Sequence, residues 1–337
     1  MSTQKITSME VAKLAGVSQS AVSRVFTPGA SSSKKTNELV RKAAAELGYR
    51  PNVLARSLIT GKSRMIGLVV AYLDNYFYPE ALELLSSALQ KKGYHVLIFM
   101  SGNKEGDIAE AVDEILDYQV DGIIAASVSM SSDLAKRCTS AGVPVVLFNR
   151  TQDDDRLSAV TSDNFQGGQK VARFLLAGGH KRIGYIAGWE GASTQRDREK
   201  GFTEELVRNG QELYAREVGN FNSDEARQAA RTMFSKQNFP DAVFVANDAM
   251  AIAVIDVIRF ELGLQVPEQV SVVGYDDVPI SSWPAYDLTT VRQPANRMVA
   301  ETVSILIESI ENKTTTARRV EIDGPLMVRG SAKISDK

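Results

Sequence analysis

Gln19, Ser20 and Arg24 lie within one short stretch, Ser18-Gln19-Ser20-Ala21-Val22-Ser23-Arg24, near the start of the chain. A glutamine amide bonds adenine through two atoms and a guanidinium does the same to guanine. These side chains on one outward helix face therefore suit base reading in a major groove. Ser18, Ser23, Ser33 and Thr36 suit phosphate oxygens, contacts that position a protein on a duplex without specifying sequence. Catalytic constellations are missing. Gly61-Lys62-Ser63 looks like the end of a phosphate loop, but Arg56 stands where its first glycine belongs. No G-x-G-x-x-G follows an apolar run, and no G-x-S-x-G elbow occurs. Cys138 alone cannot form an internal disulfide, and with His95 and His180 it supplies too few ligands for a zinc site. The expectation is a protein that is not an enzyme, with no metal and no cofactor, whose two histidines are structural or exposed.

Helices must carry these side chains. Thr7 with Glu10 makes a capping box, and Ile6 and Val11 fit a hydrophobic staple, so a first helix starts at Thr7. Val11, Leu14 and Ala15 share its inward face, and Gly16 closes it. Ser18 caps a second helix, 19–26, with Ala21, Val22 and Val25 inward and Gln19, Ser20 and Arg24 outward. A third helix runs over about 33–47, with Val40, Ala44 and Leu47 at helical spacing and Gly48 after it. Two short helices around a glycine-containing turn make the helix-turn-helix pattern, which on its own also fits any pair of packed helices.

Charge sharpens this reading. Residues 1–62 hold ten basic and three acidic residues, a charge of +7, which leaves −9 for the rest of a chain whose total is −2. A basic head on an acidic body brings one end only to phosphates, where neutralisation releases counterions. The bland alternative is a solvated basic surface. Helix pattern, charge and position together favour double-stranded DNA as partner.

With 337 residues, 44% hydrophobic and 24% charged, the chain is long enough for a small unit plus a two-lobed one. No apolar stretch approaches the roughly 18 residues of a membrane span. The first twenty residues include Lys5, Glu10 and Lys13 and no signal-like apolar core, so a cytoplasmic protein without a membrane role is expected. After Gly61, apolar runs at 66–71, 95–100, 122–126, 144–148, 183–187, 242–246 and 270–274 alternate with helical stretches. Such runs read as buried parallel strands in a doubly wound α/β body. They are too many for one sheet, so two lobes flanking a ligand cleft at the carboxyl ends of the strands are expected.

The stretches VAKLAGVSQSAVSRVF and SSSKKTNELVRKAAAELGYRPNVLARSL resemble the lactose-repressor/galactose-repressor (LacI/GalR) family of bacterial regulators. So do VPVVLFNR, TSDNFQGGQKVARFLLAGGHKRIGYIAG, FVANDAMA, VPEQVSVVGYDD and LTTVRQP, in the right order along nearly the whole chain. The resemblance implies an all-α helix-turn-helix head (1–50), a hinge helix and linker (51–62) and a periplasmic-binding-protein-like α/β body (63–337). The body's lobes would be about 63–163 plus 293–322 and about 164–292 plus 323–337. It implies a homodimeric transcriptional regulator, a repressor, acting on a near-palindromic operator and answering a small-molecule effector, a sugar or sugar derivative. It adds Thr7, Tyr49, Asn52, Ala55 and Leu58 to the DNA contacts, with Leu58 as a wedge that kinks DNA at the minor groove. Packing within a linker is the bland reading of Leu58. No heptad segment follows the last strand, so a tetramerising coiled coil is not expected.

For the body, the resemblance puts the effector on Phe77, Tyr78, Asn149, Thr194, Arg198, Phe221, Asn247 and Asp276. Aromatic, guanidinium and carboxylate groups in one cleft suit a sugar ring and its hydroxyls. Each also has a bland reading: Phe77, Tyr78 and Phe221 as core, Asn247 and Asp276 as caps. Departures from the family are Ala21 where threonine is frequent, Asn37 where arginine is, and Asn149 where aspartate is. The last gives the site donors as well as acceptors. A periplasmic-type carrier would share the body but not the head.

Overall fold

The computed structural model describes residues 6–27, 30–50, 62–71, 73–102, 105–128, 130–152, 156–235, 237–312 and 316–334. The chain divides into two units, Met1–Ser63 and Arg64–Lys337. The expectations for Asn52, Ala55 and Leu58 lie outside the described residues.

In the first unit, capping chemistry sets the helix ends. Thr7 caps α1 (Ser8–Ala15) through a complete capping box with Glu10, and Gly16 ends it in a left-handed conformation. Ser18 caps α2 (Gln19–Phe26) and Ser33 caps α3 (Lys34–Leu47), which ends on left-handed Gly48. The small core is Val11, Ala12, Ala15, Val22, Val25, Val40, Ala43 and Ala44. Leu14, expected inside, is 46% exposed. The other helices pack on the Ala12 side of α1 instead, and Ala21 and Leu47 are only half-buried.

Among its described residues the second unit contains two six-stranded sheets. Its first half runs β1 (Met65–Val70), α4 (Phe77–Lys91), β2 (His95–Met100), α5 (Glu105–Asp117), β3 (Gly122–Ala126), α6 (Ser132–Ser140), β4 (Val145–Phe148) and β5 (Ser158–Ser162). The chain then passes to the second sheet through α7 (Asn164–Ala177), β6 (Ile183–Ala187), α8 (Ser193–Arg208), β7 (Ala215–Val218), α9 (Ser223–Phe234), β8 (Ala242–Val245), α10 (Asp248–Asp256), β9 (Ser271–Asp276) and β10 (Thr289–Arg292). It returns through α11 (Ala295–Asn312) to β11 (Arg319–Ile322) and ends with β12 (Leu326–Met327) in the second sheet. The orders are β11-β5-β4-β3-β1-β2 and β12-β10-β9-β8-β6-β7. Among the described residues all pairings are parallel except β10 with β12. Apolar clusters cover the sheets: one from β1, β4, α4 and α11, another from β3, α5 and α6, and a third around β6, β8 and β9. Among the described residues no helix is long and apolar enough to cross a membrane.

Five strands, β5, β7, β10, β11 and β12, do not read as apolar runs. β7, β11 and β12 are short and partly exposed. β5 and β10 are almost wholly buried yet carry serine and threonine, whose hydroxyls find partners inside. Ser162 shares a hydrogen bond with Tyr275, and Thr290 donates to Asp248.

Candidate DNA-reading face and effector cleft

On the head, Gln19, Ser20, Ser23 and Arg24 are exposed along α2, as the helical spacing requires. Gln19 Nε2 donates to Ser8 Oγ at 2.9 Å, which holds the amide in place and leaves its oxygen to accept from a base edge. No partner engages the Arg24 guanidinium among the described residues. The expected phosphate contacts have a structural duty as well. Ser18 Oγ accepts from Ala21 N at 3.2 Å, and Ser33 Oγ from Thr36 N at 3.1 Å. The Ser33 and Thr36 hydroxyls also bond each other at 2.8 Å. The amide-rich starts of α2 and α3 are thus exposed ends of the kind that bind phosphate. Thr7 is held by Glu10, whose carboxylate accepts from the Thr7 amide at 2.7 Å and hydroxyl at 3.0 Å. Those hydrogen bonds keep the Glu10 carboxyl below its ordinary value. Tyr49 is half-buried, its ring 5.9 Å from that of Phe26. Asn37, in place of an arginine, accepts from Arg41 Nε at 2.6 Å.

In the body, a close helix pair sets the position of Arg198. A Cβ on Gly168 would run into the backbone of Arg198, and one on Gly201 into the backbone of Phe165. Only glycines permit α7 and α8 to meet this tightly. Arg198 Nε then donates to Asn164 Oδ1 at 2.8 Å, and Nη1 to the Ala246 carbonyl at 2.5 Å. Nη2 lies 3.6 Å from Asp276 Oδ1. The guanidinium carbon sits 3.6 Å from the centre of the Tyr275 ring, a cation–π contact in a site closed to water.

Asp276 is the centre of this arrangement. Its Oδ1 accepts from Gln293 Nε2 at 2.7 Å and its Oδ2 from Asn75 Nδ2 at 3.1 Å. Burial raises its pKa, against the pull of Arg198, Asn75 and Gln293. Asn75 precedes α4 beside the first sheet and Asp276 ends β9 in the second, so this hydrogen bond ties one lobe to the other. A second tie runs from Thr151 N to Ser193 Oγ at 2.9 Å. Beneath Asp276, buried Asp248 accepts from Thr290 Oγ1 at 2.6 Å, Ser281 Oγ at 2.7 Å and Val278 N at 3.0 Å, fixing the segment after β9.

Phe77 and Tyr78 open α4 and are both buried. Phe77 stacks on Phe148 at 6.2 Å, and it lines a cavity of about 550 Å³ together with Asp276 and Gln293. The Tyr78 hydroxyl accepts from Asn149 Nδ2 at 3.1 Å. Asn247 caps α10 by accepting from Met250 N at 3.0 Å, and its Nδ2 is buried without a partner, as is Asn149 Oδ1. Thr194 is buried in the first turn of α8, and its neighbour Gln195 accepts from Gly188 N at 2.6 Å. Phe221 places its ring where a side chain on Gly188 would go. Phe221, Asn149 and Asp276 follow or end strands with φ of 57°, 58° and 127°. Left-handed backbone at a bulky residue is costly and clusters at functional sites.

The structure therefore joins Phe77, Tyr78, Asn149, Arg198 and Asp276 in one network, with Asn247 beside the Arg198 acceptor Ala246. Thr194 and Phe221 belong to a neighbouring group around Gly188 and Gln195. Asn75, Asp248 and Gln293 escape the sequence reading, because a lone polar residue carries no pattern until folding places it against Asp276. Asp248 and Gln293 lie in stretches that carry the resemblance, FVANDAMA and LTTVRQP.

A family model described as "Bacterial regulatory proteins, lacI family" matches residues 7–52, and one described as "Periplasmic binding protein-like domain" matches residues 172–332. The HTH-type transcriptional repressor PurR of Pasteurella multocida (strain Pm70) is 30% identical over 329 residues, 96% of this chain and 98% of that protein. A lac repressor dimer bound to operator and the anti-inducer ONPF superposes with a TM-score of 0.88 at 27% identity, covering 97% of this chain and 99% of that one. A CelR–cellobiose complex does so with a TM-score of 0.73 at 31% identity, covering 97% and 100%. With its helix-turn-helix head, its two-lobed body and relatives matched over almost their full lengths, the chain belongs to the lacI family of bacterial regulatory proteins, DNA-binding transcriptional regulators.

Proposed function

We propose that this chain is a cytoplasmic, homodimeric repressor that binds a near-palindromic operator and is controlled by a small molecule, a sugar or sugar derivative, held between the lobes of its body. The observation that carries the reading is the buried Asn75–Asp276–Arg198 network, in which one lobe's amide and the other lobe's ion pair meet at the carboxyl ends of two parallel sheets. A ligand replacing or extending these bonds acts on both lobes at once. It thereby shifts the balance between lobe arrangements, with a coupling typically of about 1 to 3 kcal/mol.

Buried aromatic rings beside unpartnered amide atoms of Asn149 and Asn247 suit a sugar ring with many hydroxyls. One of the similar structures is a CelR complex with cellobiose. Exposed apolar side chains favour self-association: Ile98 and Met100 on edge strand β2, and Phe260 and Trp283, at 53%, 54%, 81% and 55% exposure. The similar lac repressor structure is a dimer on its operator. In the proposal Gln19, Ser20 and Arg24 read bases, the serines and Thr36 hold phosphates, and Leu58 wedges into the minor groove.

The test is capture of fragments of the source genome by the purified full-length protein at moderate salt, followed by sequencing. A shared palindrome beside transport and catabolic genes is the expected result. Absence of enrichment, with and without a panel of sugars, overturns the operator reading and leaves a ligand-binding protein.

A further inference from the structure

Arg150 follows β4 and is 2% exposed. Its Nη2 donates to Ser127 Oγ at 3.2 Å, and its guanidinium carbon stands 5.4 Å from the centre of the Trp189 ring. Nε and Nη1 have no hydrogen-bond partner, and no carboxylate of the described residues pairs with the group. Ser127 follows β3 of the first sheet and Trp189 follows β6 of the second. The cation is therefore held between the carboxyl ends of both sheets, in the cleft.

The contrast with Arg198 is informative. Arg198 has a carboxylate, a carbonyl, an amide oxygen and an aromatic face. Arg150 has one hydroxyl and one ring. Its chain neighbour Asn149 brings no charge, and half-buried Gln152, two residues on, has neither its side-chain nitrogen nor its oxygen partnered. Burying a cation without a counter-charge is unfavourable, so a fold keeps such a group where something else supplies the charge. Arginine forks are also the usual protein partners of carboxylates and phosphates.

We propose that Arg150 is an oxyanion-binding residue of the cleft, so that the effector of this chain carries a phosphate or carboxylate group that accepts from the free guanidinium donors. This rests on reading the cleft as the effector site, and it narrows the ligand to a sugar phosphate or a sugar acid.

The experiment measures melting of the full-length protein and its Arg150→Met and Arg150→Lys variants. Inorganic phosphate or acetate is titrated against chloride at constant ionic strength. Wild type is expected to be stabilised saturably by one of the two probes, phosphate indicating a phosphorylated ligand and acetate a sugar acid. Arg150→Met is expected to melt higher than wild type without added anion, since an unpaired buried charge is gone, and to bind the probe at least about thirtyfold more weakly. Arg150→Lys should keep part of the response. Wild type indifferent to both anions, or Arg150→Met responding as wild type does, overturns the proposal. So does an Arg150→Met chain that melts lower, because the residue is then a structural prop. Operator capture by the wild-type protein is read separately. Its failure counts against the regulator reading and leaves the oxyanion result standing.

Discussion

Asn75 Nδ2 donates to Asp276 Oδ2 at 3.1 Å across the cleft, while Gln293 Nε2 donates to the other oxygen of the same carboxylate at 2.7 Å. A neutral donor from across the cleft and one from the end of neighbouring strand β10 thus share a single carboxylate acceptor. Asn75→Ala and Gln293→Ala should each lower stability by about 1 to 2 kcal/mol. The double variant should lose more than their sum, because Asp276 then keeps only Arg198. Denaturant unfolding of the four proteins checks this, and strict additivity would show that the two donors act independently.

Arg198 is bonded on every side inside the second lobe. Arg198→Met is expected to leave Asp276 buried without its cation, costing about 3 kcal/mol or more. It should abolish the effector response while the head still retains operator fragments. Melting and fragment retention with and without effector separate the two effects. A variant that responds normally removes Arg198 from the site.

Asp248 supplies a pH dependence whose sign is set by burial. Burial, and then the charge of Asp276, push its carboxyl up to about 7 from an ordinary 3.8, against hydrogen bonds from Thr290, Ser281 and Val278. The folded chain therefore holds this proton more tightly than the unfolded one. Its contribution to stability is present at low pH and is lost as pH rises between those values. His180 opposes it. Burial lowers the pKa of His180, so its contribution is present above its ordinary 6.5 and fades as pH falls through the lowered value. Asp248→Asn removes only the first effect. Its melting temperature relative to wild type should rise between about pH 5 and about pH 8. A difference that stays constant across that range would mean Asp248 does not titrate there.

On the head, Gln19→Ala and Arg24→Ala should each weaken binding to the captured operator by about 1 to 3 kcal/mol and relax base preference at one position. Lys34→Ala, beside the cap of α3, should weaken binding evenly across sequences and lower the salt dependence by about one ion. Electrophoretic or polarisation titrations at several salt concentrations distinguish the two kinds of change. Equal salt slopes for all three variants would contradict this division of labour.

The head was legible almost residue by residue, because its helix ends are local chemistry. Thr7 with Glu10, Ser18, Gly16 and Gly48 satisfy backbone groups within a few residues of themselves, the structure keeps every one of them in that role, and it adds Ser33 as the cap of α3. Which face of α1 packs is decided by where the other helices lie, and they cover Ala12 rather than the more apolar Leu14. The long apolar strands β1, β3, β6 and β9 were equally plain, because a strand buried on both faces needs apolar residues throughout. β5 and β10 were hidden, since their serines and threonines are satisfied by residues far along the chain. The cleft follows the same division. Arg198 and Asp276 stood out within motifs, but the link to Gln293 exists only once β9 and β10 pair, and the link to Asn75 and the unpaired charge of Arg150 only after two sheets have met. Pair geometry and desolvation are properties of the folded space between residues, and no spacing along the chain contains them.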